Sequence, residues 1–172
     1  MTEEIHPALV IVDMQNVFLK NETDLIPKVQ DLAERWPEDR IYWLKYRNHP
    51  DSLFERHLDW SEGMVSPEID LIDGKGQKQT FLHYGYAPPP ECITHLNASG
   101  FNTAYICGVD TDACIYAAMM TFWDHGIRPV LLAGYCASSG GHRFHDAALA
   151  LMNRQFGMES VIDGVPPIPS DG

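Results

Sequence analysis

The chain has 172 residues, of which 45% are hydrophobic and 21% charged, the composition of an ordinary globular protein. Its net charge of −12 argues against nucleic acids and anionic membranes as partners, because both bind basic patches. The four cysteines show neither a CxxC pair nor the spacing of a disulfide framework. No apolar leader opens the sequence and no run reaches the length of a membrane span, so we expect a cytoplasmic location.

Apolar runs that predict strands alternate along the chain with segments of helical spacing. The strands are expected at residues 8–12, 40–46, 80–82, 103–107, 129–133 and 160–162, and the helices at 25–36, 52–58, 90–99, 112–125 and 142–156. This alternation predicts a three-layer α/β/α fold, a doubly wound parallel sheet of about six strands in the order 3-2-1-4-5-6. We expect one domain over residues 1–172, with its core at 7–162 and an extended tail at 163–172.

The segment CGVDTDAC at 107–114 lies where the fourth strand ends and a helix begins. Cys114 is expected in the first turn of that helix, beside unpaired N–H groups and the positive end of the helix dipole. Such a setting can lower a thiol pKa from about 8.5 to roughly 3.5–7.5, which favours a nucleophile. The alternative is that Cys114 is only a small buried hydrophobic residue. This interpretation suits Cys92, Cys107 and Cys136 better.

Asp13 ends the first strand, whereas Cys114 follows the fourth. These two strands are neighbours at the switch point of the predicted order, and ligands bind outside their carboxyl ends. The topology therefore predicts that an acid and a thiol distant in sequence meet in one crevice.

These residues resemble the motifs of the isochorismatase-like cysteine hydrolases. VIVDMQN at 10–16 resembles the first-strand motif with the catalytic aspartate, CGVDTDAC resembles the nucleophile motif, and residues 126–130 and 137–141 also fit. The resemblance implies hydrolysis of small amides such as nicotinamide or N-carbamoyl compounds, and homo-oligomers such as dimers or tetramers. It also implies a cis peptide between Val109 and Asp110, with the N–H groups of Asp110 and Cys114 as the oxyanion hole.

The catalytic triad of the family is Asp, Lys and Cys, and the position of the lysine is open in this sequence. Lys78 precedes the third strand, whereas catalysis belongs at the carboxyl end of that strand, where His83 stands. We therefore favour His83 over Lys78, either as a base for the thiol or as a cation beside Asp13. A role in hydrogen bonding alone is the other interpretation of His83, and Lys45 on the second strand is a further source of charge.

Some members of the family bind a metal through an Asp-x-His pair and a further histidine. Here Arg47 takes the place of that aspartate before His49, and a cation in place of an anionic ligand disfavours a divalent ion. His142 and His145 have i, i+3 spacing, but no third ligand is evident. We expect no metal and no cofactor, and the first strand is not followed by the GxGxxG sequence of dinucleotide-binding proteins.

Position alone suggests five residues that line the substrate pocket: Gln15, Phe18, Trp60, Tyr84 and Tyr86. An aromatic wall suits a flat or apolar acyl group.

Together these features predict a hydrolase of a small amide or related C–N bond. Asp13 deprotonates Cys114, which forms a thioester with the acyl group, while His83 stabilises Asp13 or carries the proton. The alternative is a non-catalytic relative that acts as a binding or assembly scaffold, because the family lysine is displaced. A redox-sensing thiol is a third hypothesis.

Overall fold

The computed structural model describes residues 4–170, and a parallel sheet forms its centre. The strands are β1 (Pro7–Val12), β2 (Ile41–Tyr46), β3 (Thr80–His83), β4 (Thr103–Val109), β5 (Arg128–Ala137) and β6 (Val161–Ile162). They lie in the order β3-β2-β1-β4-β5-β6, and each neighbouring pair is parallel. The prediction of a doubly wound sheet with order 3-2-1-4-5-6 is therefore confirmed.

Helices flank this sheet on the path from one strand to the next. They are α1 (Leu25–Glu34), α2 (Leu53–Leu58), α3 (Pro90–Ala98), α4 (Cys114–Asp124) and α5 (His142–Phe156). The hydroxyl oxygen of Ser52 caps α2 by accepting a bond from the Glu55 N–H, and proline opens α3, where its missing N–H costs nothing. Among the described residues, no helix is long and apolar enough to cross a bilayer.

The two central strands explain the continuous apolar runs in the sequence. Every residue of β1 and β4 is buried, as expected for strands that are covered on both faces. The largest fully buried side chains include Trp36, Trp43 and Phe122. Fully burying a large apolar side chain stabilises a fold by about 1.5–3 kcal/mol, so these three positions contribute strongly to the stability of the core.

The fifth strand is longer than the sequence indicates. The sequence predicted a strand that ends at residue 133, but Cys136 lies within β5, where it pairs with Gly108. The register of β4 and β5 shifts between Ile106 and Gly108, which lets the two strands continue together to Val109 and Ala137. The extra residues carry the end of β5 to the same edge of the sheet as the end of β4.

Gly108 allows β4 to approach β1 closely at this edge. Its φ is +114°, and a Cβ atom at this position would lie 2.1 Å from the carbonyl oxygen of Val12. Only glycine fits such a contact, so the residue brings the turn after β4 beside the residue after β1.

Residues 163–170 follow β6 without forming a helix or strand. Pro166 is nevertheless buried, and Ile168 packs against the core. The last two residues of the predicted tail, 171 and 172, lie outside the described part of the chain. The organisation into one domain stays a prediction.

Candidate active site

Asp13 directly follows β1 and is 1% exposed. Its N–H donates to the carbonyl oxygen of Leu44 on β2 at 3.1 Å, and its φ of +49° turns the chain away from the sheet. The carboxylate oxygen Oδ1 accepts a hydrogen bond from His83 Nε2 at 2.7 Å. The other oxygen, Oδ2, is buried and has no hydrogen-bond partner among the described residues, so it is available to a substrate or to the thiol.

His83 is the last residue of β3 and is 3% exposed. Its Nδ1 lies 2.8 Å from the carbonyl oxygen of Gly85, and because a carbonyl can only accept, Nδ1 carries a proton. Nε2 faces the carboxylate of Asp13, so the pair needs a second proton. Burial disfavours a charged imidazole, but the charge and hydrogen bond of Asp13, with the Gly85 carbonyl, outweigh burial and raise the His83 pKa. These contacts favour the protonated form of the imidazole beside Asp13.

The two lysines considered as alternatives to His83 do not lie beside Asp13. Lys78 precedes β3, its side chain is 88% exposed, and its Nζ lies 3.6 Å from the carboxylate of Glu38. Lys45 is next to Tyr46 on β2, and successive strand side chains point to opposite faces. Tyr46 lines the cavity described below and Lys45 does not, so His83 is the cation that the structure places at Asp13.

Cys114 is the first residue of α4 and lines the same cavity as Asp13. The helix terminus led us to expect a lowered thiol pKa, but the direction is the reverse. Burial raises the Cys114 pKa well above its ordinary value, and the charge of Asp13 and the thiol's interaction with it raise the pKa further, as do Asp110 and Asp112. The thiol is therefore protonated at rest and needs a base before it can attack.

The turn between β4 and α4 is fastened to the segment after β5. The Val109–Asp110 peptide is cis. The Asp110 carboxylate accepts bonds from the Ser139 N–H at 2.7 Å and from its hydroxyl at 2.6 Å. Within residues 4–170, the N–H groups of Asp110 and Cys114 donate to no backbone or side-chain acceptor, so both are free for a ligand.

A cavity of about 250 Å³ connects these groups. Its lining consists of Asp13, Val17, Phe18, Tyr46, Phe54, Trp60, Tyr86, Asp110, Ala113, Cys114 and Ser139. Five of these side chains are aromatic, two are carboxylates, and none of the lining residues is basic. The cavity therefore favours a small, flat or apolar group and disfavours an anionic one.

Three of the predicted pocket residues, Phe18, Trp60 and Tyr86, line this cavity, whereas Gln15 and Tyr84 do not. Gln15 is wholly buried, and its amide bonds to the backbone N–H and carbonyl of Tyr46 and to the carbonyl of Ile69. Because these bonds use both donors and the acceptor of the amide, Gln15 supports the cavity wall and has no amide N–H left over for a ligand. Tyr84 is half-exposed and lies against the ring of His49, outside the cavity.

Sequence reasoning missed Tyr46 and Phe54. Tyr46 ends β2 in register with His83 at the end of β3, so the rule that ligands bind at the carboxyl ends of strands could have found it. Phe54 lies in α2, and its ring contacts those of Tyr46, Trp60 and Tyr86. No pattern in the sequence distinguishes Phe54 from an ordinary packing residue.

A doubly wound parallel sheet with an acid and a thiol at its carboxyl ends is an α/β domain with a candidate ligand site at that edge. The model of the isochorismatase domain matches residues 7–161, so the chain belongs to the isochorismatase family of hydrolases. The resemblance first seen in the motifs is thereby confirmed. No curated protein matches the sequence.

Solved structures share this fold at low sequence identity. The nicotinamidase of Bacillus subtilis is 16% identical with a TM-score of 0.76, and the match covers 92% of this chain and 100% of that one. The N-carbamoylsarcosine amidase of Thermoplasma acidophilum is 18% identical with a TM-score of 0.77, covering 93% and 100%. A pyrazinamidase of Pyrococcus horikoshii in complex with zinc is 19% identical with a TM-score of 0.76, covering 90% and 96%.

The side chains of this protein do not fit a metal at the place suggested by the resemblance. Arg47 and His49 are exposed, and His49 Nδ1 lies 3.0 Å from the carbonyl oxygen of Pro50. His145 Nδ1 lies 2.7 Å from the hydroxyl of Thr111. Among the described residues, no group of three or more His, Cys, Asp or Glu side chains is arranged to hold an ion.

Proposed function

We propose that the protein hydrolyses a small amide or related C–N bond through a thioester on Cys114. One observation carries this proposal: Cys114 and Asp13 line the same cavity, and Asp13 keeps one carboxylate oxygen unpaired among the described residues while His83 holds the other. The nicotinamidase and N-carbamoylsarcosine amidase with the same fold support an amide as the substrate.

The first half of the reaction forms the thioester. Asp13 Oδ2 takes the thiol proton as Sγ of Cys114 attacks the amide carbon, and the C=O electrons move onto oxygen. The N–H groups of Asp110 and Cys114 stabilise this oxyanion, and one such donor is worth about 2.7–4 kcal/mol in related chemistry. Asp13 then gives its proton to the leaving nitrogen, the C–N bond breaks, and the amine departs.

The second half releases the acid. Asp13 removes a proton from water as the water oxygen attacks the thioester carbon. The C–S bond breaks, the sulfur recovers the proton from Asp13, and the carboxylic acid leaves. General-base assistance of this kind contributes about 10²–10⁴-fold to a rate.

His83 acts in this scheme as a fixed cation. Both of its ring nitrogens are committed, one to Gly85 and one to Asp13, so the imidazole is not placed to carry the thiol proton. Its charge balances the Asp13 carboxylate within a buried site. The alternative of a non-catalytic scaffold depended on the missing charge of the family lysine. A protonated His83 would supply a charge at that place, which supports the hydrolase.

A panel of small amides with ammonia detection tests this function, in parallel with intact-mass analysis of the protein during turnover. We expect an acyl adduct on Cys114 and a loss of activity of about 10⁴-fold or more in Cys114→Ala. Cys92→Ala is the matched control, because that thiol is buried in α3 and does not line the cavity. Full activity in Cys114→Ala would refute the thioester mechanism.

A homodimer or homotetramer, as the resemblance implies, also stays a proposal. Light scattering of the purified protein distinguishes these states from a monomer.

A further inference from the structure

The hydroxyl of Tyr46 is a buried polar group without a partner. Tyr46 is 2% exposed, and among the described residues its Oη has no hydrogen bond. An unpaired buried hydroxyl destabilises the fold, and natural structures rarely contain one without a reason. Tyr46 lines the cavity together with Cys114 and Asp13, so the missing partner of its hydroxyl can be a ligand there.

The position of this hydroxyl is fixed. The backbone N–H and carbonyl of Tyr46 both bond to the buried amide of Gln15. Its ring lies 6.0 Å from the rings of Phe18 and Trp60 and 5.5 Å from that of Phe54, measured between centroids. A phenol held in this way is a preorganised binding group, which loses little conformational entropy when a ligand arrives.

The phenol is a donor and not a base. Burial raises the pKa of Tyr46, and its electrostatic interactions with the ionisable groups of Cys114 and Asp13 raise it further. The hydroxyl therefore keeps its proton across the physiological range and offers it to an acceptor.

The chemistry of the proposed reaction indicates which part of the substrate provides that acceptor. After attack, the amide carbon carries the sulfur, the oxyanion, the leaving nitrogen and the acyl group. The N–H groups of Asp110 and Cys114 serve the oxyanion, and Asp13 serves the nitrogen. The acyl group remains, and the rings around Tyr46 form the aromatic wall that would hold it.

We propose that Tyr46 is a specificity-determining residue whose hydroxyl donates a hydrogen bond to an acceptor atom on the acyl group of an uncharged, flat amide. This inference rests on the proposed function, because it takes the orientation of the substrate from that reaction. A site built to hydrogen-bond one atom rejects an analogue that lacks the atom, since its own polar group is then left unpaired.

Benzamide and the three pyridinecarboxamides form a matched set of probes, because each pyridine replaces one ring C–H with an acceptor nitrogen. Their dissociation constants are measured by calorimetry with the Cys114→Ala protein, which binds without turnover. We expect at least one pyridine isomer to bind at least tenfold more tightly than benzamide. Adding Tyr46→Phe should remove this preference and leave benzamide binding within about twofold.

Tyr84→Phe is the matched control, because it removes a tyrosine hydroxyl outside the cavity and should preserve the preference. Thermal unfolding separates specificity from a structural role: losing an unpaired hydroxyl should leave the melting temperature of Tyr46→Phe unchanged or higher.

Any of four results would overturn the inference: no probe binds, no pyridine is preferred, the preference survives Tyr46→Phe, or Tyr46→Phe weakens all probes equally. If the wild-type protein binds these amides with the expected preference but hydrolyses none of any panel, the proposed function fails and the role of Tyr46 in binding stands.

Discussion

The imidazole of His83 and the carboxylate of Asp13 meet at 2.7 Å between Nε2 and Oδ1, although the residues are 70 positions apart in the chain. They lie at the ends of β3 and β1, and β2 runs between these strands, so the contact crosses one strand of the sheet. Both side chains are almost completely buried. Removing one partner of a buried ion pair leaves an uncompensated charge and costs about 3–5 kcal/mol, so the pair must be considered as a unit.

Replacing His83 tests whether hydrolysis depends on the charge of this side chain or on its shape. We expect His83→Lys to keep hydrolysis within about tenfold, because an ammonium group can also balance Asp13. His83→Gln should lose at least 100-fold in kcat/KM, because its neutral amide leaves the carboxylate uncompensated. Steady-state kinetics measures both, with circular dichroism to verify the fold. Equal activity in wild type and His83→Gln would contradict a role for the charge.

The stability of the protein should fall at alkaline pH through this pair. Burial lowers the His83 pKa, but Asp13 more than compensates, so the folded-state pKa lies above the unfolded value of about 6.5. A raised pKa contributes stability that is complete below about pH 6.5 and is lost as the pH rises through the folded-state pKa. Urea unfolding between about pH 6 and pH 10 should show the wild-type advantage over His83→Gln shrinking with pH. A difference that stays constant over this range would argue against the imidazolium.

Removing the charge of Asp13 should make Cys114 more reactive and yet inactivate the enzyme. Burial is the main cause of the raised Cys114 pKa, but Asp13 contributes next, so Asp13→Asn should lower that pKa. Alkylation by iodoacetamide at about pH 8 should then be faster than in wild type, because more thiolate is present. Hydrolysis should fall by about 10²–10⁴-fold, because the base is lost. Peptide mass spectrometry follows the alkylation of Cys114 alone.

Asp112→Asn serves as the control for this experiment. Its charge raises the Cys114 pKa least among the causes, and its carboxylate accepts a bond from the Ser138 hydroxyl that an amide oxygen can also accept. We expect a smaller increase in alkylation and near-normal hydrolysis. Slower alkylation in Asp13→Asn than in Asp112→Asn would mean that the carboxylate does not suppress the thiolate.

The sequence predicted the positions of the candidate site residues better than their surroundings. The alternation of strands and helices predicted the order of the sheet, and the polarity of parallel strands placed Asp13, His83 and Cys114 at one edge, with Lys78 at the other. These inferences depend on backbone direction, which local patterns encode.

The direction of the Cys114 pKa shift could not be predicted in the same way. It depends on how many carboxylates surround the thiol and how little water reaches it, and both depend on tertiary packing. The same limit applies to Gln15 and Tyr84, which are polar residues near the motifs but differ completely in burial.

Gln15 provides a last test, because its hydrogen bonds indicate a structural role where position suggested contact with the substrate. Its buried amide bonds to the Tyr46 backbone and to the carbonyl of Ile69, so Gln15→Ala leaves these groups without partners. Each buried group left unpaired costs about 1–3 kcal/mol, and urea unfolding should show a loss in this range or above it. Gln30→Ala, which removes a single exposed bond to Asp73, should change stability by less than about 0.5 kcal/mol.

The activity that remains in folded Gln15→Ala should show a weaker preference for acceptor-bearing amides, because the Tyr46 hydroxyl is no longer held in place. A stable Gln15→Ala protein with reduced substrate affinity would show instead that Gln15 itself contacts the ligand.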